Sequence, residues 1–228
     1  MKLLFDARLP IGTFMQATQA DMNRSTIPLP AEAPVMVLPG AVLFPGSILP
    51  LRIFEPRYRA MLQWALEHDR MFCIALMKEG IAEAETEDQF FHTAGIGLVS
   101  ASVTLADGTS NLMLQGLSRV RFTGFPQRAP FRIANIAPVP DITGSPAKTA
   151  ALAAALRKQC AAIRVNGAPL PEALAKIFTQ ATDPDDLADA VANALLSDPM
   201  QRQHILGEPD LASRLRELAR ILGEDFHD

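Results

Sequence analysis

Between Leu38 and Phe54 three prolines cut an apolar run into pieces too short for a helix and too interrupted for one long strand. Pro39, Pro45 and Pro50 each lack a backbone donor, so none suits the middle of a central strand. The pieces between them (Ala41 to Phe44, Ile48 and Leu49, Leu51 to Phe54) are apolar and short, as buried strand segments are. Pro56 then stands where a helix takes its first residue, its ring already set at a helical φ. The stretch is expected to form a strand, a proline-bounded crossing and a second strand that runs directly into a helix. That helix is expected from Pro56 to Arg70, because Tyr58, Met61, Leu62, Ala65 and Leu66 make one apolar stripe. Trp64 sits off the stripe and is expected to be only partly buried.

Strand signals surround this segment. Val35 to Leu38 reads as a first strand, Met71 to Met77 as a continuous apolar one, and the acidic Glu79 to Asp88 as a solvated loop. Phe90 to Leu105 carries Gly95 and Gly97 inside a strand pattern, which favours a bulge or a close backbone crossing. Asp107 and Gly108, between Val103–Leu105 and Leu112–Leu114, are the strongest hairpin signal in the chain. Val120 to Phe125 and Phe131 to Val139 add two strands, separated by Pro126 and Pro130. Six or seven strands and one helix fit a small closed or partly open barrel.

Pro138-Val139-Pro140, then Gly144 and Pro146, mark a hinge or linker, and beyond it every signal is helical. Ala147 to Arg164 starts behind a serine cap and a first-turn proline, Ser145-Pro146. Leu170 to Gln180 follows. Asp183-Pro184-Asp185-Asp186 opens a third helix with a capping aspartate and carboxylates where the helix dipole favours them. Met200 to Leu206 is short, and Asp210 to Leu222 places Leu211, Leu215, Leu218 and Leu222 on one face before an expected stop at Gly223. The organisation is thus an extension over residues 1–33, a β half over 34–141 and a helical bundle over 146–228. Met22 leads directly into the β half and is expected to be the translational start.

Charge excludes some functions. Of the 228 residues, positions 34–140 carry 9 Lys/Arg and 9 Asp/Glu, whereas 141–228 carry 9 and 13, so neither half has the basic excess of a nucleic-acid binder. No apolar run is long enough to span a membrane, and Asp6, Arg8 and Pro10 interrupt any signal-like stretch. Cys73 and Cys160, in apolar and Ala-rich surroundings, read as buried inert thiols, which makes a reducing, cytoplasmic setting the default.

Catalytic patterns do not emerge. No glycine precedes any of the five lysines, so the phosphate-cradling loop is missing. His68, His92, His204 and His227 show no metal-ligand spacing and read as structural. The carboxylates Asp183, Asp185, Asp186 and Asp189 lack the glycine and alternate spacing of a calcium loop and are read as helix capping. No metal, cofactor or catalytic residue is expected.

The segment ending Ile53-Phe54-Glu55-Pro56-Arg57-Tyr58 resembles the opening of the Lon amino-terminal domain, the substrate-recognition region of Lon-type ATP-dependent proteases. A second match follows in Gly95-Ile96-Gly97, Asp107-Gly108 and Leu114-Gln115-Gly116-Leu117-Ser118-Arg119-Val120-Arg121-Phe122, so that the resemblance covers roughly residues 34 to 140. It resembles forms that carry neither ATPase nor protease.

The resemblance implies an α+β fold, a PUA-like small β-barrel half followed by a helical-bundle half. It implies no peptidase chemistry, but recognition of unfolded or extended polypeptide, as an adaptor or holdase in protein quality control beside a separate ATP-dependent protease. Phe44, Arg52, Phe54, Glu55, Arg57, Tyr58 and Arg119 lie in the matching motifs and are the candidate binding residues, through apolar contacts and pairing at a sheet edge. An exposed apolar patch is then expected. Two rivals stand beside this reading. An RNA-binding PUA-like module would need Arg119, Arg121, Arg128 and Arg132 in one patch; a self-associating structural protein would need a symmetric apolar interface.

Overall fold

The structure, a computed structural model, describes residues 27–165 and 167–225; the expected start at Met22 lies outside them. Six strands form one mixed sheet: β1 (Glu32–Leu38), β2 (Ile48–Ile53), β3 (Met71–Leu76), β4 (Thr93–Thr104), β5 (Ser110–Gln127) and β6 (Arg132–Pro138). Helix α1 (Pro56–Glu67) follows β2 directly, with Pro56 at its start, and closes near His68, earlier than Arg70. Met71 to Leu76 is buried throughout, as its unbroken apolar sequence demands.

The sheet runs β2-β5-β4-β3-β1-β6, and β5 also pairs β6. Five strands therefore close into a ring, while β2 hangs outside it, so the sheet is not a clean barrel. What the sequence divides into two strands around Gly116 is one 18-residue strand, β5. Its first half pairs β2 and β4; its second half turns to meet β6 across two register shifts. The ring is filled by Val35, Val37, Cys73, Ala75, Ile96, Val120 and Phe122. A second core, on the other face of β1, β3 and the β2–β5–β4 strands, is covered by α1 through Tyr58, Met61, Leu62 and Ala65. Trp64 is half-buried, as its place off the stripe requires.

The crossing at 41–46 explains the motif glycines. A Cβ on Gly95 would lie 2.0 Å from the Leu43 carbonyl oxygen, and one on Gly116 2.1 Å from that of Phe44. Both strands thus need glycine where the proline-bounded loop lies against them.

Helices α2 (Pro146–Ala162), α3 (Glu172–Gln180), α4 (Pro184–Leu195), α5 (Pro199–Gly207) and α6 (Leu211–Asp225) make the second half, with a two-residue strand pair (Arg164–Val165 with Ala168–Pro169) after α2. The side chain of Asp183 accepts from the Asp185 amide as expected, whereas that of Ser145 makes no capping bond. Gly223 does not end α6, which continues to Asp225. The helical core extends beyond its own half: Val42, Phe44 and Leu76 pack into it with Leu156, Leu187, Leu215 and Leu218. The connection is anchored by Val139 N–H to the Arg119 carbonyl (3.0 Å) and Ile142 N–H to that of Pro209 (2.8 Å).

Candidate functional site

Beyond the ring, β2, the first half of β5 and the second half of β4 project as a three-stranded ribbon. Its register aligns Arg52 with Asn111 and Val103, and Pro50 with Met113 and Ala101. Because partners across a ladder share a face, Leu51, Ile53, Leu112 and Leu114 point together toward α1 and are buried. Ile48, Pro50, Met113, Ala101 and Val103 point the other way. Val103 is 62% exposed and Ile48 54%. Phe54, 46% exposed, and Leu105 stand at the same end of the ribbon. Among the described residues, four of the five large apolar side chains that are exposed (all but Ile142) belong to this ribbon.

The ribbon's outer face continues the ring's inner wall. Along β4, Ala94 and Ile96 are buried in the ring and Leu98 packs partly against them. After the register shift at Val99/Ala101, the same face carries Ala101 and Val103 into solvent. This arrangement is an apolar surface with an enclosed core at its base.

β2 is the sheet's terminal strand. Gly46 N–H donates to the Gly116 carbonyl (2.9 Å), and Gly116 N–H to that of Ser47 (2.8 Å). From that anchor, alternation gives Leu49, Leu51 and Ile53 the bonded pairs with β5 and turns the main-chain groups of Ile48, Pro50 and Arg52 outward. Pro50 has no donor to offer there, so the open edge is blunted at its middle.

The seven motif residues separate into three groups. Arg52 and Phe54 are exposed on or beside the ribbon. Glu55, Arg57 and Tyr58 hold the start of α1: Arg57 bonds Glu55 (2.8 Å) and Glu83 (2.6 Å), and its guanidinium lies 4.8 Å from the Tyr58 ring centre. Tyr58 is buried and donates to the Val37 carbonyl (3.0 Å), tying α1 to β1; burial pushes its hydroxyl above the ordinary value. Phe44 and Arg119, by contrast, are interior. Phe44 fills the joint between the halves, and Arg119 is held in a buried ionic cluster. Neither presents atoms to a partner in this conformation.

That cluster is the principal feature sequence reading missed. Arg119 of β5 meets Asp189 of α4, Asp141 of the connection (3.6 Å) and Asp185 (3.7 Å). Arg214 of α6, fully buried, meets Asp141 (2.6 Å), Asp185 (2.7 Å) and Asp189 (3.6 Å). Asp185 and Asp189 are therefore members of an ion network and not capping groups. Three carboxylates face two guanidinium groups, so one negative charge is in excess. Burial, then Asp185 beside it, outweighs the two arginines and pushes Asp189 up to about 7; burial and Asp185 also raise Asp141. Two signals were legible: an arginine inside the leucine stripe of α6, and two aspartates four residues apart on one face of α4.

The arginines between 119 and 132 form no open basic patch. Arg119 is buried, Arg121 is exposed, Arg128 pairs with Glu87 (2.6 Å), and Arg132 donates to the carbonyls of Ala84 and Glu85 (2.5 and 2.8 Å). Arg57, Arg128 and Arg132 line a polar cleft of about 190 Å³ together with Glu83 and Glu85, which offset two of the three positive charges. Among the described residues no group of three or more His, Cys, Asp or Glu side chains is placed to hold a metal ion. Both cysteines are buried and free; burial raises both thiols, Cys160 to about 11.

A fold with this ribbon, ring and helical half has known counterparts. The family model of the ATP-dependent protease La (LON) substrate-binding domain matches residues 32–224. The chain belongs to that family. The N-terminal domain of Lon protease from the Mycobacterium avium complex superposes with a TM-score of 0.68 at 20% identity, over 85% of this chain and 99% of that one. A Lon N-terminal domain protein from Xanthomonas campestris does so with a TM-score of 0.58 at 21% identity, over 83% and 97%. The Lon protease of Desulfosudis oleivorans is 26% identical over 207 residues, and that of Phenylobacterium zucineum 28% over 198. These cover 90% and 86% of this chain, which spans about a quarter of each of those proteins. What is shared is the Lon substrate-binding domain; the other three-quarters of those proteases have no counterpart in these 228 residues. No helix among the described residues is long and apolar enough to cross a membrane.

Proposed function

We propose that this member of the Lon substrate-binding family is a non-enzymatic protein that binds unfolded or extended polypeptide, acting as an adaptor or holdase for a separate protease. The observation that carries the reading is the outward apolar face of the ribbon, with Ile48, Val103 and Leu105 in solvent and Phe54 at its end. A segment lying there gains by burying side chains on a largely apolar surface whose charged residue is Arg52, with little dependence on its sequence and only a modest one on salt. Main-chain pairing along β2 contributes less than an open edge would, because Pro50 leaves one incoming carbonyl without a donor. The RNA-binding reading loses the patch it would need, because Arg119 is buried in the ionic cluster and Arg128 and Arg132 are engaged, which leaves Arg121 alone of the four exposed and unengaged.

The test is fluorescence anisotropy with a labelled, permanently unfolded polypeptide and a mixed-sequence RNA oligonucleotide. Polypeptide binding is expected to persist at raised salt. Val103→Asp loses the burial of one valine and adds a charge to desolvate, about 1.5–3 kcal/mol, which weakens it roughly ten- to a hundredfold. Equal binding by the variant, or salt-sensitive binding of RNA alone, overturns the proposal.

A further inference from the structure

Two arginines stand at the end of the ribbon, and the fold gives neither an ion-pair partner. Arg52 is exposed on the outer face of β2, in register with Asn111 and Val103. Arg59, also exposed, reaches the same end from α1: a Cβ on Gly108, in the β4–β5 turn, would lie 2.2 Å from its Nη2. Among the described residues neither side chain makes a hydrogen bond or an ion pair. The carboxylates beside them are engaged elsewhere. Asp107 accepts from the Thr109 amide and hydroxyl (2.9 and 2.7 Å), and Glu55 is bonded to Arg57. Asp107 lies within the field of Arg52, so the turn and its two arginines together carry one positive charge in surplus.

The outer edge of β2 is open. A strand laid along it places one residue opposite each of Ile48, Pro50 and Arg52, with its side chain on the outward face. Pro50 weakens the main-chain ladder at its middle, which leaves the side chains to decide which segments are held. Apolar residues suit the places opposite Ile48 and Pro50, beside Met113 and Ala101. The residue opposite Arg52 has its Cβ about 5 Å from that of the arginine. A carboxylate there meets a guanidinium with no partner to give up, whereas a lysine meets a like charge.

We infer that the ribbon selects, among extended polypeptides, segments of alternating apolar residues that end in an acidic residue set against Arg52, with Arg59 adding to the field. This rests on the ribbon being the polypeptide-binding face. The carboxylate falls two residues from the side chain opposite Pro50 and four residues, about 14 Å, from the one opposite Ile48. An opposite-charge pair across a ladder raises affinity about two- to fivefold, and a like-charge pair lowers it by a similar factor.

The experiment titrates the nitrogen-15-labelled chain with three nine-residue peptides, acetylated and amidated so that no terminal charge competes. Each alternates valine with serine and carries aspartate, asparagine or lysine at both ends, so that either strand direction brings an end residue opposite Arg52. Chemical-shift titration reads weak affinities and locates each peptide by the amides of Ile48, Arg52 and Val103. The aspartate peptide is expected to bind about two- to fivefold tighter than the asparagine peptide, and the lysine peptide more weakly than either. In Arg52→Gln, and in wild type at about 1 M salt, the ratio of aspartate to asparagine affinity should fall toward one. Equal binding of the three peptides by wild type, or a ratio unchanged in Arg52→Gln, overturns the inference and leaves the proposed function standing. Shifts at no ribbon amide, with these peptides or with the unfolded polypeptide, overturn both.

Discussion

Arg214→Met and Asp189→Asn remove charges from the same buried cluster, and the count of charges separates their effects. Arg214 faces three aspartates with Arg119 as its only companion cation. Replacing it leaves one guanidinium for three carboxylates, a loss of about 3–5 kcal/mol for a buried network stripped of a partner. With m near 2–3 kcal/mol/M, the urea midpoint should fall by roughly 1–2 M. Asp189→Asn instead leaves two arginines with two aspartates and should cost no more than about 1 kcal/mol near pH 5. The pH dependence follows from the raised Asp189, about 7 against roughly 4 in an unfolded chain. The folded protein holds a proton that the unfolded chain releases, so this contribution is complete below about pH 4 and is lost as pH rises through about 7. The slope is up to ~1.4 kcal/mol per pH unit. The charges facing Asp189 are Arg119, Arg214 and Asp185, and Asp141, raised within the same cluster, acts in the same direction. Urea titrations of the wild type and Asp189→Asn at pH 5, 6, 7 and 8, read by Trp64 fluorescence for the β half and far-ultraviolet circular dichroism for the helices, measure the difference. The stability of the variant relative to the wild type should rise across pH 5 to 7. Parallel pH profiles, or an Arg214→Met variant as stable as wild type, would refute the charge-balance reasoning.

Four further substitutions probe the fold. Gly95→Ala puts a methyl group onto the Leu43 carbonyl and should cost more than about 3 kcal/mol, or prevent folding, whereas Gly80→Ala, where a Cβ meets nothing, should cost no more than about 1–2 kcal/mol by urea unfolding. Tyr58→Phe removes the donor to the Val37 carbonyl and should lower stability by about 1–2 kcal/mol while retaining the helix signal. Asp198→Ala strips the cap that accepts from the Met200 and Gln201 amides and should cost about 1 kcal/mol, read as a fall in Tm.

The sequence carried the local signals well. Proline placement defined β2 and the start of α1, the Asp107-Gly108 turn defined the β4–β5 hairpin, and leucine spacing defined α6. It carried long-range pairing poorly. Gly116 reads as an interruption, yet β5 passes through it unbroken because the residue opposite the missing side chain is a carbonyl of the 41–46 crossing, distant in sequence. The candidate site was legible in the same uneven way. Phe54 and Arg52 are recognisable from their motif, but Val103 and Met113 gain their place on the open face only through register with β2. Phe44 looks like any motif aromatic until the helical half covers it. Arg119 and Asp189, seventy residues apart, find each other only in the folded chain.

The ring's closure also dictates an order of events at the ribosome. β1 gains one neighbour early, when β3 emerges, but its other edge pairs β6, with Glu32 opposite Asn135. At about 5–20 residues per second, some 5–20 seconds of synthesis separate those two positions. Throughout that interval the nascent chain exposes a seven-residue, largely apolar strand with one side vacant. Force measurement with arrest sequences of stepped length should find the closing pull only after residue 138 clears the exit tunnel; a pull at the β4–β5 hairpin alone would show that the ring is not a single closure.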